Sequence, residues 1–142
     1  MTLSVVLALT ASAPPQDKDK GNDKVEKPKL TVKVTPAIGG TAPARIVASA
    51  DLLGGAPDGE ELYCPAVEWD FGDDIKSTTS ADCDPYEAGK SEIKRRFTAE
   101  HTYANGGSFR VQVRLKKKNK VILSGGASVQ IRPGIHEGGG LP

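Results

Sequence analysis

The chain has 142 residues, 37% hydrophobic and 26% charged, with 19 Lys and Arg against 18 Asp and Glu. That is about one domain's length, and a formal charge of +1 excludes a strongly basic nucleic-acid binder. The longest apolar run, Leu3 to Leu9, falls well short of the roughly 18 to 20 residues that cross a bilayer, so no transmembrane helix is expected; 16 Gly and ten Pro favour short strands over long helices.

Residues 1–13 pair a short apolar run with Ala11-Ser12-Ala13, the small-x-small pattern of a cleaved export signal. Residues 14–29 carry five Lys, four acids and three Pro with one aliphatic residue, Val25, so ordering them would cost entropy with little burial to offset it. They are expected to be a disordered, charged linker. The folded domain is expected over 30–133, and 134–142, with four Gly, reads as a flexible tail.

Within 30–133 the hydrophobic period is two. Leu30, Val32 and Val34 alternate with polar neighbours, as do Ile46, Ala48 and Ala50, then Val67, Trp69 and Phe71, then Phe109, Val111, Val113 and Leu115. The last stretch, Val121 to Ile131, is broken by Gly125-Gly126, which predicts a bulge or a change of pairing there. No window sustains a 3.6-residue period for three turns. Strands greasy on one face pair those faces, which predicts an all-β, antiparallel sandwich.

Cys64 and Cys83 are an even pair in a chain that opens on an export pattern, which predicts a disulfide. Zinc thiolates are the weaker alternative, because no His lies near either cysteine. Between Asp70 and Glu92 there are seven acids and two Lys, whereas Lys94 to Lys120 holds nine basic residues and one acid. Asp73, Asp74, Asp82 and Asp84 are therefore a candidate Ca²⁺ cluster, since hard cations want several oxygen ligands; a solvated loop explains the same acids, and no other cofactor is implied. Lys116, Lys117 and Lys118 are expected at a hairpin tip, either as hydrated gatekeepers of an edge or as a handle for an anionic partner. No aromatic interleaves them to stack on bases, so nucleic acid is not expected. Tyr63 and Tyr86, flanking the cysteines, are expected to be exposed contact residues.

The run Trp69-Asp70-Phe71-Gly72-Asp73-Asp74, followed by His101-Thr102-Tyr103, the turn Asn105-Gly106-Gly107 and the strand Phe109 to Val113, resembles the PKD (polycystic kidney disease) domain family in residue type and order. The chain departs from that pattern at Asp74, where the family has Gly, and in the longer, cysteine-bearing connection at 75–96. The resemblance implies an Ig-like, PKD-type sandwich of about seven strands. It also implies that His101 and Tyr103 pack or hydrogen-bond at the start of the next strand, and that the module acts without catalysis through protein or polysaccharide contacts. Secretion, the periplasm or the cell surface is the expected location. Two alternatives come from other classes: a structural subunit assembling through a strand edge, and a glycosidase using Asp70, Asp73 and Asp74.

Overall fold

The computed structural model describes residues 25–134 together with Thr10 and Ser12. Most of the export signal, most of the linker and most of the tail expected from the sequence lie outside those residues. The described chain is all β apart from one 3₁₀ turn, Glu60–Leu62. Its strands are β1 (Lys29–Thr35), β2 (Ile38–Thr41), β3 (Ala44–Leu53), β4 (Ala66–Asp70), β5 (Lys76–Thr79), β6 (Arg96–Tyr103), β7 (Gly107–Lys117) and β8 (Lys120–Arg132).

They form two sheets, β1-β3-β6 and β2-β8-β7-β4-β5, in the Ig-like sandwich arrangement. Every pairing is antiparallel except β2 with β8. Eight strands stand where about seven were expected, and two of them, the short edges β2 and β5, carry no apolar alternation to announce them. β1 begins at Lys29, and just before it the Glu26 carbonyl accepts a hydrogen bond from the Gly55 amide at 2.7 Å.

The inward positions are the apolar ones. Ile46, Ala48 and Ala50 of β3 and Val111, Val113 and Leu115 of β7 are wholly buried, with Trp69, Phe71, Phe97, Tyr103, Val129 and Ile131 completing the core. A smaller cluster, Leu52, Leu62 and Ile93, sits apart. Gly125-Gly126 does not interrupt β8. The register shift falls instead at Leu115/Lys116, opposite Leu123 and Val121, which leaves Ile122 as the extra residue. Gly125 is small for a packing reason: a Cβ there would lie 2.9 Å from the Leu30 carbonyl oxygen and 3.1 Å from Val32 of the facing sheet.

Candidate functional site

Trp69 and Phe71, two apart on one strand face, both turn inward and are each 2% exposed. From them runs a column of rings. Phe71 stacks on His101 at 4.1 Å between centroids, His101 meets Tyr103 edge-on at 4.7 Å, and Tyr103 stacks on Phe109 at 4.3 Å. Offset and edge-on ring pairs each add about 0.5 to 1.5 kcal/mol beyond burial.

The polar ends of this column are occupied. His101 Nε2 lies 2.7 Å from Asp73 Oδ2, with the imidazole side chain only 8% exposed. The Tyr103 hydroxyl donates to the Phe71 carbonyl at 2.8 Å, and burial, with Asp73 and Asp70 nearby, pushes its pKa up to about 12. Asp70 accepts the Gly72 amide at 3.0 Å and lies 3.6 Å from Lys76. Asp73 Oδ1 accepts the Ile75 amide at 3.3 Å. Gly72 has φ 79°, and a Cβ there would lie 2.8 Å from the Arg110 carbonyl oxygen, so both conformation and space require glycine. Asp74, which replaces the glycine of the pattern it resembles, sits at φ 66°, a region Asp tolerates better than most residues. These acids shape a bend.

The candidate calcium ligands do not converge. Among the described residues no three His, Cys, Asp or Glu side chains are grouped as a metal site would require. Asp73 is engaged at the bend, whereas Asp82 and Asp84 flank Cys83 in the insert and open to solvent. Sequence proximity brought together acids that the fold separates.

Cys64 and Cys83 are joined in a disulfide. Around it the tyrosines are not free, contrary to expectation. Tyr63 and Tyr86 are half-buried against each other at 5.5 Å, the Tyr63 hydroxyl donates to the Asp84 carbonyl at 2.8 Å, and the Tyr86 hydroxyl donates to the Asp58 carbonyl. Burial raises the Tyr86 pKa, and the nearby Asp58 and Glu60 raise it further. A wide depression of about 620 Å³ beside them is lined by Tyr63, Asp82, Asp84, Glu87, Lys90 and Glu92.

The lysine run divides in the same way. Lys118 and Asn119, at φ 51° and 63°, form the tight turn between β7 and β8 and are exposed. Lys116 Nζ instead donates to Glu68 at 2.5 Å, and Lys117 Nζ donates to the carbonyls of Glu60 at 2.5 Å and Tyr63 at 3.0 Å. A one-residue step along β7 alternates direction, so only part of the run reaches the tip.

The outer face of the five-stranded sheet holds the polar residues that alternate with Val111 and Val113 along β7. Arg110, Gln112, Arg114, Ser124, Gly125 and Gly126 line a shallow groove of about 400 Å³. Arg114 donates to Glu68 and Gln112 at 3.0 Å each. The hydrogen bonds from Lys116 and then Arg114 lower the Glu68 pKa. Arg110 is exposed and, among the described residues, forms no ion pair. The signal for this face was present in the alternation of Arg110, Gln112 and Arg114 with Val111 and Val113.

No family model matches the chain, and no curated protein matches it. Among solved structures it is similar to the solution structure of a CARDB domain from Pyrococcus furiosus, with 17% identity over 75% of this chain and 97% of that domain, at a TM-score of 0.45. No helix of the described residues is long and apolar enough to cross a membrane.

Proposed function

We propose that this chain is a non-catalytic, extracytoplasmic recognition module of PKD type. Its contact surface is the outer face of the five-stranded sheet, and its ligand class is anionic polysaccharide. The observation that carries this reading is the engagement of the would-be catalytic groups. His101 is packed between rings and tied to Asp73, and Asp70 and Asp73 bind turn amides, while Arg110, which forms no ion pair among the described residues, lines an open groove. Gly125 and Gly126 line the groove, and Arg110 supplies a planar fork of donors suited to carboxylate or sulfate. The Cys64–Cys83 disulfide fits an oxidising compartment.

Titrating the full chain with polygalacturonate and with dextran sulfate, read by anisotropy at several salt concentrations, tests the proposal. Saturable, salt-sensitive binding that falls at least about tenfold in Arg110→Glu supports it. Binding unchanged in that variant, or none to either polymer, overturns it. Location is tested separately by blocking free thiols in intact cells: a chain recovered fully oxidised supports export, and a reduced chain refutes it.

A further inference from the structure

The three-stranded sheet ends at β6, and β6 is an edge of an unusual kind. The Leu52 amide donates to the Arg95 carbonyl at 2.8 Å, and the register with β3 then runs without a break from Arg96↔Asp51 to Tyr103↔Ala44. In an antiparallel ladder this phase turns the main-chain groups of Phe97, Ala99, His101 and Tyr103 toward β3, and those of Arg96, Thr98, Glu100 and Thr102 away from it. None of these four outward residues has a main-chain partner outside β3 among the described residues, and all four are exposed.

Folds normally blunt such edges with short strands, lysines, prolines or bulges. The other edges here follow that rule. β2 and β5 have four residues each, and β1 carries Lys29 and Lys33 as its only charges and runs into Pro36. β6 has eight residues, with no Pro, Gly, Lys or bulge. Its outward face carries one Arg and one Glu, four residues apart.

We infer that β6 pairs antiparallel with β6 of a second copy of this chain, with Thr98 on the two-fold axis, so that the two three-stranded sheets become one sheet of six. Charge selects the occupant and the register. With Thr98 facing Thr98 of the partner, Arg96 faces Glu100 of the partner and Glu100 faces Arg96 of the partner. A register centred on Glu100 would oppose two carboxylates, and one centred on Ala99 would set Arg96 against a threonine. Opposite charges across a strand pair stabilise it, and like charges destabilise it. Within each copy Arg96 already binds Asp51 at 2.6 Å, and Arg45 binds Glu100. Pairing extends these contacts into a row of alternating sign: Asp51, Arg96, Glu100 of the partner, Arg45 of the partner. β1 has no acid to answer its lysines and is not self-complementary in this way. The dimer leaves the groove at Arg110 on the opposite sheet free, so this inference stands or falls apart from the proposed function.

Light scattering of the full chain tests it. The expected mass rises from one chain toward two between about 10 µM and 1 mM, the range of a small interface. Thr98→Pro removes an N–H that β3 does not use, and it should leave the circular dichroism of the monomer intact while holding the mass at one chain. Should Thr98→Pro fail to fold, cysteine scanning carries the test. In a main-chain-bonded antiparallel pair the facing Cα atoms are about 5.5 Å apart, so Thr98→Cys should form an intermolecular disulfide under air oxidation. Arg96→Cys should not, because its two copies are offset by about 13 Å along the strands. Peptide mapping confirms that Cys64–Cys83 is retained. A mass of one chain throughout, a dimer that survives Thr98→Pro, or cross-linking no better at Thr98 than at Arg96 overturns the inference.

Discussion

The bend after β4 and the insert between β5 and β6 are both acidic, and both are held in place, but by different means. The bend sits on the large core. Trp69 and Phe71 are buried beneath it, and His101, Tyr103 and Phe109 continue the packing, so its carboxylates only complete hydrogen bonds that the rings have already positioned. The insert sits by the smaller cluster, whose buried members are Leu52, Leu62 and Ile93. It is secured by a covalent bond and two tyrosine hydroxyls on main-chain carbonyls, all to the connection between β3 and β4, which Lys117 in turn holds at the Glu60 and Tyr63 carbonyls. Where apolar burial runs short, staples and single hydrogen bonds take over.

That contrast predicts graded effects. Trp69→Ala removes the largest ring of the core and is expected to cost about 3 to 5 kcal/mol in chemical denaturation, unfolding the whole domain together. Replacing Cys64 and Cys83 by Ser releases a loop of about 20 residues and is expected to cost about 3 kcal/mol by the chain-entropy estimate. Hydrogen exchange in that variant should rise at 80–92 well before it rises in β7; uniform acceleration would show that the insert is not a separate cooperative unit.

Tyr103→Phe leaves the Phe71 carbonyl without its donor and should cost about 1 to 2 kcal/mol near neutral pH. Its pH dependence has a definite sign. The folded phenol keeps its proton up to about pH 12, whereas the unfolded one loses it near 10.0, so this contribution is full below 10.0 and declines as pH rises from 10.0 toward 12. The stability gap between the native chain and Tyr103→Phe should therefore narrow across that window in denaturant titrations. The smallest effect is expected from Lys117→Met, which keeps the aliphatic stem and loses two hydrogen bonds. A change of about 1 kcal/mol, seen as faster limited proteolysis of the connection at 54–65 with little shift in global melting, would place Lys117 with the staples.

The same contrast explains how much the sequence discloses. Alternation in β3, β4 and β7 reads directly as burial because each apolar side chain there has a core to enter, and Trp69-x-Phe71 marks the centre of that core. Edge strands β2 and β5 lack a buried face, and Ile38 and Ile75 are exposed, so no periodicity marks them. The candidate site was legible only in part. Gly125 looked like a break because its packing role depends on Leu30 and Val32, 93 or more positions away. The partners of Tyr63, Tyr86 and Lys117 are main-chain carbonyls, which every residue type offers, so composition could not identify them. Arg110 and Gln112 were visible as an outward stripe, but the groove beside them is made by the glycines of β8.

The parallel contact of β2 with β8 bears on how the domain would respond to a pull on its two ends. The chain comes in at the Lys29 end of β1, switches sheets into β2, and goes out past Arg132 at the end of β8, beside Thr41. β1 and β8 therefore run the same way along the sandwich, and the two points of attachment lie at opposite poles. Tension drawn through those points shears β2 along β8, so the Ala42 to Arg132 and Gln130 to Ala37 hydrogen bonds and the interlocked Gly125 packing must give way together rather than unzip one by one. A body threaded this way transmits a pull along its long axis and lengthens a tethered chain instead of folding it back on itself.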